Sequence, residues 1–244
     1  MQVLKVVAEG AITSFRRPHF MLNIQPTFHM PPPATIYGHL CSTLGDLVAP
    51  EDLQFAYHFT AHKAFSDLEH TIMLEISSGK LEGTKYPKVL EAHVQPFKRE
   101  LLFQPRLTLY INRPEWIDAF RSPRYAVVLG RSQDLFTYTS LEIIELEQAE
   151  HAYFEHTLLP YTMATQVGQG VTELLPRYID YEHKRVPTFA RYVFLENRVH
   201  SSDCWFNEQE TFWIDPASPQ YRGDALGLVF HSFVGEQHET ILLA

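Results

Sequence analysis

The first residues with distinctive chemistry form a short segment near the N-terminus that combines cations with aromatic rings. Its members are Ser14, Phe15, Arg16, Arg17 and, slightly further on, Phe20. Two guanidinium groups beside aromatic rings can hold phosphates and stack on nucleobases. The pattern therefore predicts a contact with a nucleic acid, and the alternative is a surface loop with a half-buried aromatic side chain.

A second candidate lies where prolines precede a predicted helix, in the segment Pro33-Ala-Thr-Ile-Tyr-Gly38. Free backbone N–H groups and the helix dipole favour an anion such as a phosphate at a helix start. Thr35 and Tyr37 would lie beside that anion. Every helix has such an end, so this prediction depends on cations supplied by other segments.

Further cations and polar side chains follow at two later points in the chain. The candidates are Lys98, Arg99, Arg106, Arg131, Ser132 and Gln133. They would add positive charge and hydrogen-bond donors on one side of the predicted sheet. The alternative is that these arginines form structural ion pairs with Glu100 and Asp134.

The sequence lacks the common catalytic and metal-binding motifs. No segment matches the phosphate-binding G-x-x-x-x-G-K-[ST] loop, the G-x-G-x-x-G dinucleotide motif, the G-x-S-x-G nucleophile elbow or the H-E-x-x-H zinc motif. His58 and His62 would lie about 13 Å apart on a strand that rises about 3.3 Å per residue. His151 and His156 would point to different faces of a helix. We therefore expect no cofactor, no metal and no catalytic residue.

The distribution of charge limits where a nucleic acid could bind. The chain carries 20 Lys and Arg against 29 Asp and Glu; residues 1–134 hold 14 against 13, and residues 135–244 hold 6 against 16. The acidic half would repel a polyphosphate. The sequence thus predicts a phosphate-binding surface in the first half and either solvent or a basic protein partner next to the second.

The composition is typical of a folded globular protein. The 244 residues are 45% hydrophobic and 20% charged, and two cysteines, Cys41 and Cys204, are too few for a disulfide framework. The longest stretch without a charged residue, 18–45, contains five prolines and is unsuitable as a membrane helix. The N-terminus is typical of a strand rather than a secretory signal. We expect a cytoplasmic protein without membrane contact.

The apolar periodicity predicts an α+β fold. Within residues 1–147 it indicates strands at 3–10, 53–61, 68–76, 101–111 and 125–130, and helices at 34–48 and 114–121. Residues 77–99 contain two glycines, two prolines and five Lys or Arg, which indicates an inserted hairpin or projecting loop. The order β, α, β, β, α, β is that of a ferredoxin-like or RNA-recognition unit. Residues 148–244 follow as an acidic β-rich region.

Four separated stretches also carry a resemblance to a known family. They run from Ser14-Phe-Arg to Gln25-Pro-Thr, and then comprise Pro31-Pro-Pro-Ala-Thr-Ile-Tyr-Gly38, Phe103-Gln-Pro-Arg-Leu-Thr-Leu-Tyr110 and Leu129-Gly-Arg-Ser-Gln-Asp-Leu135. In content and order they resemble CRISPR-associated protein family five of the RAMP superfamily, in the subtype of type I-B Cascade complexes. The resemblance covers residues 1–147 well, and the last hundred residues are similar only in general character.

This resemblance implies an RRM-like N-terminal domain with an inserted β-hairpin thumb at about residues 77–99. It implies a non-catalytic subunit of a type I Cascade interference complex, which binds the five-prime handle of the crRNA. Such a subunit caps the backbone filament next to the large subunit and contacts target DNA only through the complex. The candidate side chains above would then bind RNA.

Two alternatives stay open. In one related subtype the family cuts precursor crRNA without a metal, using a tyrosine, a lysine and a histidine; here Tyr37 would be the acid–base candidate. No matching Lys-His pair stands in the central segment, since His62-Lys63 and His183-Lys184 lie elsewhere. The other alternative is a structural interaction module whose arginines pair within the chain.

Overall fold

The computed structural model describes residues 1–18, 24–88, 90–207, 209–235 and 240–241. Phe20, one of the predicted RNA-binding residues, lies outside them. Within these ranges no helix is long and apolar enough to cross a membrane.

The first half of the chain contains most of the predicted strands and helices together with several short strands. Its elements are β1 (Gln2–Gly10), β2 (Ile12–Thr13), β3 (Phe15–Arg16), β4 (Ile24–Gln25), β5 (Thr27–Phe28), α1 (Pro33–Leu44), β6 (Gln54–Thr60), β7 (Lys63–Ile76), β8 (Leu90–Phe103), β9 (Arg106–Ile111), a 3-10 turn (Pro114–Trp116), α2 (Ile117–Arg121) and β10 (Phe136–Glu145).

The second half consists mostly of short strands, as its sequence predicts. Its elements are β11 (Glu147–Ala149), β12 (Tyr153–Phe154), β13 (Thr157–Pro160), a 3-10 turn (Tyr161–Met163), α3 (Ala164–Val167), β14 (Val171–Asp180), β15 (Val186–Leu195), β16 (Val199–His200), a 3-10 turn (Ser201–Asp203), β17 (Phe212–Asp215), β18 (Leu226–Leu228), β19 (His231–Ser232) and β20 (Thr240–Ile241). The described chain is therefore a mixed α+β fold.

One antiparallel sheet organises the first half, with its strands in the order β10-β1-β9-β6-β19. Helices α1 and α2 cover one face of it, where Ile36, Leu40 and Phe120 join Leu4 and Val6 of β1 in a buried cluster. The alternation of apolar and polar residues along β1, β6 and β9 supplies this face, because successive side chains of a strand point to opposite sides.

The second half packs on the opposite face of the same sheet. Val3, Ala56 and Tyr110 of the sheet form a buried cluster with Tyr153 and Leu226 of the second half. This cover is incomplete, because the end of the sheet near Arg106 stays open and lines a cavity.

Strands β7 and β8 form a long two-stranded ribbon inserted between β6 and β9. They pair over their whole length, from Lys63 opposite Phe103 to Ile76 opposite Leu90. The insertion predicted at 77–99 is therefore too short, since the ribbon spans 63–103. Alternating patterns identify strands but do not show which sheet a strand joins. The strand predicted at 101–111 therefore combines the end of β8 with β9. Gln104, with a φ of 49°, makes the corner between them.

The strand predicted at 125–130 is wrong. This segment makes only an isolated bridge between Val128 and Leu135, and Tyr125 is exposed. The last strand of the predicted order is β10 instead. Within this segment only Leu129 is fully buried, so the apolar run lacks the buried face of a central sheet strand. The helix predicted at 34–48 is shorter than expected, since α1 ends at Gly45, a left-handed residue with a φ of 82°.

Candidate nucleic-acid interface

Three of the predicted RNA-binding segments meet at the base of the ribbon. Ser14 joins them, because its Oγ donates to the backbone oxygen of Glu100 at 2.9 Å and its backbone N–H donates to Asp134 Oδ2 at 3.1 Å. The loop at 14–17, strand β8 and the turn at 131–134 are thus in direct contact. The sequence placed these segments on one side of the sheet, and the structure brings them to one site.

A buried carboxylate, Asp134, holds this site together. It accepts hydrogen bonds from the backbone N–H of Ser14, from the backbone N–H of Arg131 at 2.9 Å and from the Arg131 guanidinium at 2.7 Å. A buried charge is tolerated only when it is paired and hydrogen-bonded in this way. Burial alone would lower the pKa of Arg131, but Asp134 and Glu69 outweigh it and leave that pKa raised.

Gly130 allows the turn at 131–134 to approach the 13–14 segment closely. Its φ is 104°, and a Cβ at this position would lie 2.4 Å from Thr13 Oγ1 and 2.9 Å from the backbone oxygen of Ser14. A larger residue would therefore separate Asp134 from Ser14. This close contact accounts for the glycine in the Leu129-Gly-Arg-Ser-Gln-Asp segment.

The ribbon is fixed to the site by ion pairs on its polar face. Glu69 of β7 accepts from Arg99 of β8 and, at 3.4 Å, from Arg131. Arg99 is nearly buried and its guanidinium lies 5.0 Å from the centre of the Phe97 ring. The expected pairing of Arg131 with Asp134 is thus found, whereas the expected partner Glu100 instead accepts from the backbone N–H of Thr27.

The segment at 14–17 is also mostly engaged within the chain. Arg17 donates two hydrogen bonds to Glu173, at 2.9 and 2.8 Å, and its guanidinium lies 4.7 Å from the centre of the Phe28 ring. Phe15 is buried in the core. Of this segment only Arg16 is exposed.

The helix start offers little to an anion. The backbone N–H groups of Thr35 and Ile36 both donate to the oxygen of Pro32, at 2.8 and 3.2 Å. Tyr37 is buried, and its hydroxyl donates to the backbone oxygen of Val48. Its pKa is strongly raised, first by burial and second by its hydrogen bond with Tyr178. This geometry gives no support to Tyr37 as an acid–base group.

Several predicted side chains do face solvent around the ribbon base. They are Arg16, Lys98, Ser132 and Gln133. At the far end of the ribbon, Lys80 and Lys85 are also exposed. The ribbon is not basic as a whole, however, because residues 63–103 hold six Lys or Arg and six Asp or Glu. Positive charge is therefore available at the base and the tip but not along the shaft.

Arg106 does not join this site. It forms an ion pair with Glu9 on the open end of the central sheet, where it lines a cavity of about 400 Å³ together with Lys5 and His58. His58 Nε2 lies 3.7 Å from Glu155 Oε1, a contact that the sequence does not predict.

His58 is uncharged in the folded chain at neutral pH. Burial, followed by the neighbouring His156, lowers its pKa to about 4, although Glu155 acts in the opposite direction. No sequence signal could reveal this group, because His58 and Glu155 are 97 positions apart. Among the residues that the structure describes, no three His, Cys, Asp or Glu side chains are placed to hold a metal ion.

The shaft of the ribbon has one apolar face, and that face points to solvent. Residues at every second position of β7 share it, together with the β8 residues opposite them. The aliphatic side chains on this face are 58–91% exposed: Leu68, Ile72, Leu74, Ile76 and Val94. The other face carries Glu69 and Arg99 and contacts the rest of the chain at the ribbon base, but further out Thr71, Met73 and Glu75 of that face are exposed as well. The shaft therefore projects into solvent with its aliphatic side chains uncovered in the described chain.

The comparisons with known proteins concern the fold. No protein-family profile and no curated protein matches the sequence. A chain of a CRISPR RNA-guided surveillance complex superposes with a TM-score of 0.52 and 11% identity, over 82% of this chain and 92% of that chain. The described α+β fold is therefore one that also occurs in a CRISPR RNA-guided complex.

Two further solved structures are similar with lower TM-scores. A CRISPR protein from Archaeoglobus fulgidus gives a TM-score of 0.48 at 9% identity, over 95% of this chain and all of that chain. A chain of a type III-B Cmr-beta complex bound to cognate target RNA gives 0.47 at 11% identity, over 82% and 86%.

Proposed function

We propose that this chain is a non-catalytic RNA-binding subunit of a type I CRISPR interference complex, of the I-B subtype that its sequence resembles. In this role it holds the five-prime handle of the crRNA and caps the backbone filament next to the large subunit. The observation that carries the proposal is the fold similarity to a chain of an RNA-guided surveillance complex over nearly the whole of that chain. The four sequence stretches that resemble the family agree with it.

We infer further that residues 1–147 form a ferredoxin-like unit. The inference is supported by the strand order β10-β1-β9-β6 with all neighbours antiparallel, and by the order β1, α1, β6, β9, α2, β10 along the chain. A ferredoxin-like unit has this connectivity, in which the second helix follows the second hairpin. The ribbon would then be the thumb inserted between the second and third strands.

In this proposal the RNA lies at the base of the ribbon, and the site residues divide into two groups. Arg17, Arg99 and Arg131 hold the loops in place through Glu173, Glu69 and Asp134, so they are positioning residues. The exposed side chains Arg16, Lys98, Ser132 and Gln133 contact phosphates and sugars directly. RNA recognition of this kind depends on few cations and should have a moderate salt dependence.

The direct test is binding of repeat RNA by the double variant Arg16→Glu/Lys98→Glu, measured with the chain assembled with its filament subunit. We expect weaker binding and a salt slope lower by about 1.4, since each lost phosphate contact on a single strand removes roughly 0.7. The matched control is Arg121→Glu, an exposed arginine on α2. Equal slopes for the double variant and the wild-type chain would exclude RNA from the ribbon base.

We also propose that the apolar face of the shaft packs against the filament subunit. Its aliphatic side chains suit a protein surface, because they offer neither charge to phosphates nor rings to bases. At its base β8 also pairs with β2 and β4, but beyond that point the described ribbon consists of two strands. A two-stranded ribbon is marginal in water, so a partner surface would also stabilise it. The exposed lysines at the tip would reach the RNA held by that neighbouring subunit.

A further inference from the structure

A second surface of the chain, on the outer side of α1, has the character of a docking groove. Two adjoining depressions of about 430 and 460 Å³ share Leu47 and Tyr181 as lining residues. Three apolar or aromatic side chains are exposed there: Leu47 at 53%, Tyr125 at 58% and Tyr181 at 36%. We call this surface the α1 groove. It is formed by α1, the loop at 45–51, the segment around 125 and the turn at 180–183.

The floor of the α1 groove contains a glycine that the described chain does not itself require. Gly38 lies in the interior of α1 with an ordinary helical φ, and a Cβ added there would meet no atom within 4 Å. Glycine destabilises a helix interior relative to alanine. Ser42 lies one turn further along the same side of the helix. The open space above Gly38 leaves room for another chain to approach the helix backbone closely.

The rim of the α1 groove is acidic. Four carboxylate side chains line it, those of Asp46, Glu51, Asp180 and Glu182. No Lys or Arg occurs among its lining residues in the part of the chain that the structure describes. Two arginines lie just beside it, Arg124 over the Tyr125 ring and Arg185 over the Tyr181 ring. On the rim itself Asp180 is paired with His183 at 2.7 Å, and the other carboxylates leave an acidic surface that repels RNA and attracts Lys or Arg.

We propose that the α1 groove binds a basic amphipathic helix of a partner protein. The apolar side of that helix would lie between Leu47 and the two tyrosines, with its closest approach at Gly38, and its Lys and Arg would face the acidic rim. A second copy of this chain cannot supply the helix from the described residues. Helix α1 carries no charged residue, α3 has four uncharged residues, and α2 is only five residues long.

The proposal rests on the proposed function only for the partner's identity as another subunit of the RNA-guided complex. The first experiment therefore uses the assembled complex, with a photo-crosslinking benzophenone side chain in place of Tyr125. The control carries it at Ile143, an exposed apolar position on β10. We expect Tyr125, and not Ile143, to crosslink to one segment of a partner subunit that alternates apolar residues with Lys and Arg. A complex that assembles without this crosslink, or a crosslink to RNA or to a second copy, would overturn the α1 groove while leaving the proposed function intact.

The second experiment uses the isolated chain and so decides the question even if no complex assembles. The probe is a fluorescent synthetic helix with leucines on one side and lysines on the other. We expect Leu47→Ala/Tyr125→Ala to weaken its binding by about tenfold, and Ile143→Ala to leave it unchanged. Equal effects of the two variants would mean non-specific attraction to an acidic chain and would overturn the proposal.

Gly38→Ala separates docking from folding, because the two effects have opposite signs. The added methyl group favours the helix, so the melting temperature should rise. The same methyl group occupies the floor of the α1 groove, so the lysine-leucine probe should bind several-fold more weakly. A variant that melts higher and binds the probe as well as the wild-type chain would show that nothing approaches α1 at this point.

Discussion

Replacing Asp134 by asparagine should destabilise the whole chain, because this buried carboxylate joins three segments that are distant in sequence. The change removes the charge that compensates Arg131, and an asparagine whose oxygen keeps the backbone donors of Ser14 and Arg131 must turn its NH₂ group toward the Arg131 guanidinium, which is itself a donor. Removing one partner of a buried ion pair costs about 3–5 kcal/mol, and we use the lower value because Arg131 keeps some contact with water. About 3 kcal/mol corresponds to a melting temperature lower by about 6–12 °C for a chain of this size.

The measurement is thermal and urea unfolding of Asp134→Asn, Arg131→Met and the double variant. Because the two side chains contact each other, the double variant should be less destabilised than the sum of the single variants, by about 0.5–3 kcal/mol. Asp134→Asn should also weaken RNA binding without changing its salt slope, since it displaces contacts but removes no phosphate-binding cation. A melting temperature within about 1 °C of the wild-type value, or additive effects, would refute the role given to this network.

Three further predictions concern other parts of the chain. Leu74→Asp on the apolar face of the ribbon should reduce assembly with the filament subunit at least about tenfold, whereas Thr71→Asp on the opposite face should not. Co-purification of tagged subunits measures this assembly, and equal behaviour of the two variants would contradict docking by the apolar face. Burial lowers the pKa of His231 to about 4. The contribution of this residue to the free energy of unfolding is therefore fully present above about pH 6.5 and is lost as pH falls toward 4, by up to about 3 kcal/mol. Urea unfolding at pH 7.5 and 4.5 should show a smaller loss of stability in His231→Gln than in the wild-type chain, and an equal loss would show that His231 is not its source. Repeat RNA incubated with the purified chain and EDTA should stay intact, and site-specific cleavage that disappears in Tyr37→Phe would replace the proposed function with the endoribonuclease alternative.

Local periodicity predicted the regular elements of the first half well. Alternate residues of β1, β6 and β9 and the helical spacing from Ile36 to Leu40 supply the apolar face between the sheet and its helices, whereas Val3, Ala56 and Tyr110 on the other face of the sheet are buried by the second half. The order of elements follows from these patterns. What they could not give was the length of the ribbon, because its strands have the same period as sheet strands.

The sequence selected segments that the structure brings into contact, but it could not give the contacts of each side chain. Arg99 and Glu100 are consecutive on β8 and therefore point to opposite faces, so they could never pair as expected. The actual partner, Glu69, lies opposite on β7 and is identified only once the register of the ribbon is known. Arg131 and Asp134 are three residues apart in one turn, and their ion pair is the alternative that the sequence offered to RNA binding by Arg131.

The exposed apolar face of the ribbon shows why the proposed RNA site and protein contact should depend on each other. Full burial of a leucine, isoleucine or valine side chain gains about 1.5–3 kcal/mol, and the five side chains of the apolar face are roughly two-thirds exposed, so they offer about 10 kcal/mol at most. Association alone costs about 4–15 kcal/mol, an amount of the same size, so the ribbon face by itself would give at most a weak contact. RNA bound at the ribbon base would tether the neighbouring subunit and reduce that cost. The ion pairs of Glu69 with Arg99 and Arg131 fix the ribbon to the same site, so they would set the direction in which the apolar face is presented to a subunit that the RNA has already brought close.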